Sequence, residues 1–218
     1  MSANEAGRAG RTGRSDQVDQ RRAELLEAAR KVVLERGLAN TRVADIAKAT
    51  DVSGGLIHYH FATKDILLTE MMRAASQDDI RKLHEIADDP GSAVARLDAV
   101  LHFYLPDPED KENSGWVLWL EAWAASVREP ALRNIVGELD GAWLAVMERV
   151  IRDGVRAGEF SCDDPANAAE RLDALLDGLA IRYTLQLGAM SPRHFLEQAR
   201  IAASREVGLD RSAFPRAR

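Results

Sequence analysis

One cysteine, Cys162, is all this sequence contains, which excludes an intramolecular disulfide and any zinc cluster built on cysteine. No apolar run approaches the ~20 residues that span a bilayer. No apolar segment of the secretory kind comes after the start, where Gly, Ser and Arg predominate instead. A cytoplasmic protein is expected. The sequence also lacks an HExxH pair, a phosphate-cradling glycine loop and a nucleophile elbow. Its five histidines are scattered: His58 and His60, two positions apart, point to different sides of a helix, and His84, His102 and His194 stand alone. Neither an enzyme, nor a metal site, nor a cofactor is expected. Alternating apolar–polar segments and hairpin turn signals are missing too, which leaves an all-α fold of about nine helices.

What is present is an ordinary globular balance. The 218 residues are 46% hydrophobic and 29% charged, enough for one large domain or two small ones. The net charge of −6 is unevenly spread: residues 1–64 hold eleven Lys and Arg against eight Asp and Glu, a balance of +3, and the remainder holds eighteen against twenty-seven, −9. A mildly basic head on an acidic body suits a protein that presents one end to DNA.

The chain is organised around residues 41–64, TRVADIAKATDVSGGLIHYHFATK. Val43, Ile46 and Ala47 recur at i, i+3 and i+4, one apolar helical face, with Thr41 as an N-cap candidate. Thr50, Asp51 and Val52 break the run. Ser53 is the next N-cap candidate, and a second helix runs from there through Phe61. A helix, a short turn and a second helix form the helix-turn-helix pattern, whose second helix enters the major groove N-terminus first. Gly54 and Gly55 weaken that helix but let its backbone approach closely. Leu56, Ile57 and Phe61 are expected in the core of the head.

Four regions are expected around this centre. Residues 1–19 form a flexible arm in which Arg8, Arg11 and Arg14 are either phosphate or minor-groove contacts or part of a loose terminus. Residues 20–64 form the DNA-binding head, whose first helix carries Leu25, Leu26, Ala29, Val32 and Val33 and stops at Gly37. Residues 65–208 form a helical body and 209–218 a tail. In the body, Ser92, Asp164-Pro165 and Ser191-Pro192 read as helix starts, and residues 131–157 as one helix of ~40 Å.

The head resembles the TetR family of bacterial one-component regulators. The resemblance rests on the first helix ending at Gly37, residues 41–47, Val52-Ser53, Gly55, Ile57, His60-Phe61, Lys64 and Leu67-Leu68. The body, in WVLWLEAWAAS, GEF and LLDGLAIRY, resembles the choline-responsive BetI-type branch. The resemblance implies a homodimer on a double-stranded DNA operator, with a ligand cavity in each body and an interface from the last two long helices. It implies that Thr41 and Arg42 meet phosphate and that Ser53, Gly54 and Gly55 open the recognition helix. His58 and Tyr59 would then meet bases, and His60 and Lys64 the backbone. Two residues depart from the family pattern. Asp51 stands where the turn usually has glycine, although Asp tolerates the left-handed conformation better than most. His58 stands where tyrosine is common.

Aromatic residues make up only 6% of the chain, so their clustering is informative. Trp116, Trp119 and Trp123 fall on one helical face at i, i+3 and i+7. Trp143 lies on the next helix, and His102, Phe103 and Tyr104 on the one before. These rings either fill a core or line a ligand site. With an acid such as Asp177, Asp173, Asp140 or Glu121 the site would suit an organic cation; without one, a neutral hydrophobic compound. On ideal geometry Glu121 lies off the tryptophan face. Leu172, Leu175, Leu176, Leu179 and Tyr183 make a stripe that, with Phe195 and Ala199, forms either a dimer interface or a seam within one chain. The expected function is a homodimeric repressor released from a pseudo-palindromic operator by a small molecule. The alternatives are a DNA-binding dimer without such input, or an all-α ligand-binding protein that no longer binds DNA.

Overall fold

The computed structural model describes residues 3–107, 109–110 and 114–214, with side chains from residue 16 onward apart from residue 211. Among these residues there are nine α-helices and no strand. They are α1 (Ala3–Arg36), α2 (Val43–Ala49), α3 (Gly54–His60), α4 (Lys64–Ala87), α5 (Ala93–Tyr104), α6 (Ser114–Ser126), α7 (Pro130–Arg156), α8 (Pro165–Thr184) and α9 (Pro192–Glu206). A 3₁₀ turn, Arg211–Ala213, comes after α9. None of these helices is long and apolar enough to cross a membrane.

Local chemistry sets most of the boundaries. Ser53, Ser92, Asp164 and Ser191 each accept a hydrogen bond from a backbone N–H in the first turn of the adjoining helix, which satisfies donors that the helix itself leaves free. Glu159 adds a second cap to α5, accepting from the N–H groups of Ala93 and Val94 at 3.0 and 3.3 Å. Asp51 adopts φ 52°, the left-handed conformation expected of it, and the turn between α2 and α3 closes without glycine. At two points the boundary differs. The N-cap of α2 is Arg42, not Thr41. And α1 begins at Ala3, so the stretch expected as an arm is helical from there; the side chains of Arg8, Arg11 and Arg14 lie outside the described residues.

The chain divides into two compact units. The first comprises Met1–Ala75 with Glu121–Ile135. Its core is Leu25, Ala29, Val32, Val33, Leu38, Ile46, Ile57, Phe61, Leu67, Leu68, Met71 and Met72, joined by Ala122, Leu132 and Ile135. The second comprises Ser76–Leu120 with Val136–Arg218. Its core draws on α5, α7, α8 and α9 and extends to Phe214, so the start of the tail is packed. A bidentate ion pair, Arg200 Nε and Nη2 to Asp98 at 2.7 and 3.0 Å, ties α9 to α5.

Candidate functional site

In the first unit α3 presents its outer surface to solvent. Ser53, Gly55, His58 and Tyr59 are exposed, Tyr59 by 76%, while Ile57 and Phe61 are buried beneath them. Ser53 Oγ accepts from the Leu56 N–H at 3.3 Å, so the cap fixes where the recognition helix begins. Gly54, His60 and Lys64 are half-buried, and Arg42 is exposed. The Arg42 N–H donates to Asp45 at 3.1 Å, and Asp45 also meets Arg36 at 3.0 Å.

Thr41 is the exception in this set. It is fully buried and its hydroxyl donates to the Gly37 carbonyl at 2.9 Å, so its side chain belongs to the turn between α1 and α2 and is not free to meet phosphate. A residue that sequence reasoning missed is Arg22. Its guanidinium lies 4.3 Å over the Phe61 ring, donates to the His60 carbonyl at 2.6 Å and pairs with Glu70. The end of the recognition helix is thereby fastened to α1 and α4. Nothing in the local pattern around Arg22 signals contacts thirty-eight and forty-eight positions away.

In the second unit the rings gather on Trp143. Phe103, Tyr104 and Trp119 have centroids 5.6, 5.3 and 6.5 Å from it, the last two edge-on, which is favourable aromatic geometry. Beside them Asp140, Asp173 and Asp177 each bring a carboxylate oxygen within 4.8 Å of the others. Tyr104 Oη donates to Asp173 at 2.5 Å.

Burial raises the pKa of all three acids. For Asp177 the charges of Asp173 and Asp140 add to burial and push it up to about 7. Among the described residues no cationic side chain offsets these shifts. Clustered, partly buried carboxylates without a counter-charge are costly and offer three oxygens to a cation. The Trp143 Nε1–H is buried with no acceptor among the described residues, a donor available to a ligand oxygen.

The other residues expected at this site are placed as follows. The His102 ring faces the Asp98 carbonyl at 2.8 Å, and Trp116 packs on the core. Trp123 and Glu121 belong to the first unit.

The apolar stripe on α8 reads either as a dimer interface or as a seam within one chain. Leu172, Leu176, Leu179, Phe195 and Ala199 are buried within their own chain, where they form the seam between α8 and α9. Leu175 is exposed and Tyr183 half-exposed, and these two remain available to a partner.

Residues 25–71 match the family described as bacterial regulatory proteins, tetR family, and residues 93–208 match the BetI-type transcriptional repressor, C-terminal family. Among curated proteins, the HTH-type transcriptional regulator BetI of Burkholderia thailandensis is 31% identical over 188 residues, 82% of this chain and 89% of that one. The Escherichia coli BetI is 28% identical over 193 residues, covering 82% and 93%. Among solved structures, a transcriptional regulator from Saccharomonospora viridis in complex with choline has a TM-score of 0.74 and 28% identity, covering 87% of this chain and 98% of that one. A regulator from Pseudomonas aeruginosa PAO1 reaches 0.77 at 27% identity, covering 90% and 95%. With a capped recognition helix on a three-helix head and a helical body that the BetI-type family spans, the chain belongs to the TetR family of homodimeric, DNA-binding transcriptional regulators, in its BetI-type branch.

Proposed function

We propose that the protein is a repressor that leaves a pseudo-palindromic operator when a hydroxylated organic cation binds its second unit. The observation that carries this reading is the meeting of Asp140, Asp173 and Asp177 with the rings of Trp143, Tyr104 and Phe103. Carboxylates supply charge, ring faces attract a quaternary ammonium, and the Trp143 N–H offers a hydrogen bond to an oxygen of the ligand. The choline bound to the Saccharomonospora viridis relative has both features. On the DNA side, Arg42 and Lys64 would hold phosphate while His58 and Tyr59 reach base edges, the usual division between positioning and reading.

Two heads related by a two-fold axis fit half-sites at one fixed spacing. A ligand favouring a different spacing weakens DNA binding by the factor that DNA weakens the ligand's own binding. The experiment is a titration of choline and of tetramethylammonium, which lacks the oxygen, monitored by melting temperature and by anisotropy on DNA from upstream of the gene. Choline is expected to raise the melting temperature with dose, to exceed tetramethylammonium in doing so, and to lower DNA affinity. Unchanged DNA affinity at saturating choline overturns release by this class. Silence of both cations in the melt favours rings that only fill a core.

A further inference from the structure

Glu121 belongs to the first unit, where its carboxylate makes a contact of its own. It sits on α6, two positions after Trp119, and its Oε2 accepts a hydrogen bond from the Leu38 N–H at 2.7 Å across eighty-three positions of chain. Leu38 lies just past the end of α1. The Gly37 N–H closes the last turn on Val33 at 2.8 Å, and Gly37 then takes φ +79°. A Cβ at Gly37 would stand 3.1 and 3.3 Å from the two Glu121 oxygens, so glycine is needed there both for its backbone and for the carboxylate's approach.

The turn that Glu121 grips is internally tied. The Asn40 N–H and the Thr41 hydroxyl both donate to the Gly37 carbonyl, and the Thr41 N–H donates to the Leu38 carbonyl. Its outer end is Arg42, the N-cap of α2. One carboxylate therefore anchors the segment that aims Arg42. Among the described residues Glu121 has no ion-pair partner: its acceptor strength goes to the Leu38 amide.

We propose that Glu121 is a positioning residue for operator binding and for its release, holding the 37–42 turn from the helix that also carries Trp119. A charged acceptor on an amide is among the stronger hydrogen bonds, and it weakens steeply as the donor angle or distance opens. A small rotation or slide of α6 releases Leu38, and the turn that aims Arg42 at phosphate loses its anchor. The release half of this proposal rests on the cationic effector proposed for the second unit; the binding half does not.

The test compares wild type, Glu121→Gln, which keeps an acceptor oxygen, and Glu121→Ala, which removes it. Hydrogen exchange at the Leu38 amide, DNA affinity over a salt series and the choline titration are read on each. In Glu121→Ala the Leu38 amide is expected to exchange at least about tenfold faster, and DNA affinity to fall about tenfold. The salt slope should shrink by about one, as for a lost phosphate contact. Glu121→Gln should recover most of this, which a change in packing alone would not predict. Choline should still raise the melting temperature of Glu121→Ala yet displace it from DNA less effectively than wild type.

Wild-type DNA affinity and Leu38 exchange in Glu121→Ala overturn the proposal, as does equal impairment of the Ala and Gln proteins. Should Glu121→Ala not fold, accelerated Leu38 exchange and a smaller loss of DNA affinity in Glu121→Gln support the proposal, and their absence overturns it. A wild type indifferent to choline would sink the cationic effector, and the choline-free measurements would still decide the role of Glu121.

Discussion

Asp177 concentrates the cost of the acidic cluster in one side chain. Its carboxyl is held at about 7 by burial and by two neighbouring carboxylates, against an ordinary value near 3.9 in the unfolded chain. An acid whose folded pKa is raised favours the folded state most below its unfolded pKa. That advantage shrinks as pH rises through the window from about 4 to about 7 and is gone above it. Asp177→Asn should therefore stabilise the ligand-free protein more at pH 8 than at pH 5, by about 2–3 kcal/mol at ~1.4 kcal/mol per pKa unit. Denaturant titrations at the two pH values measure this, and an equal effect at both would contradict it. Single residues were legible in the sequence where their partners are local. Ser53, Ser92, Asp164 and Ser191 cap the helices just after them. Arg22 and Glu121 act on groups dozens of positions away, and no window of sequence contains both ends of those contacts.

The helices were legible from their periodicity and caps, and α7 at Pro130–Arg156 falls within one residue of the expected 131–157. What periodicity cannot supply is the identity of the surface an apolar face meets. The stripe of Leu172, Leu176 and Leu179 has the same spacing whether it packs on a partner or on α9 of its own chain, and it packs on its own chain. The ring cluster shows the same gap: the run at 116, 119 and 123 shares a helical face, but its spacing does not say that Trp119 meets Trp143 edge-on from another helix. The polar joint between α5 and α9 was hidden for a related reason, because Asp98 and Arg200 read as surface charges until their helices meet. Both are nearly buried, so removing one charge strands the other. Arg200→Met is expected to cost about 3–5 kcal/mol, and the double change Asp98→Leu with Arg200→Met to recover most of it. Urea unfolding of the three proteins tests this; a double variant as unstable as the single would show that the pair contributes more than mutual compensation.

At the scale of the molecule, two-fold pairing has to use what the single chain leaves uncovered. Leu175, 36% exposed on α8, is the member of the predicted stripe best placed for it. Leu175→Glu is expected to leave the fold intact, to give a monomer in sedimentation velocity at micromolar concentration and to weaken DNA binding at least about tenfold, since one head alone loses the second half-site. A variant that stays dimeric would place the interface elsewhere on the surface. The DNA-reading unit is also not a contiguous piece of chain. It takes Glu121–Ile135 from the middle of the sequence, contributing Ala122, Leu132 and Ile135 to its core and a carboxylate to its Leu38 amide. Consider a hybrid sensor made by splicing one regulator's reader onto another's detector with a single cut at the junction of head and body. For this protein a single cut would separate the reader from part of its own interior, so a transplant has to carry two segments, or match the second segment to its new host.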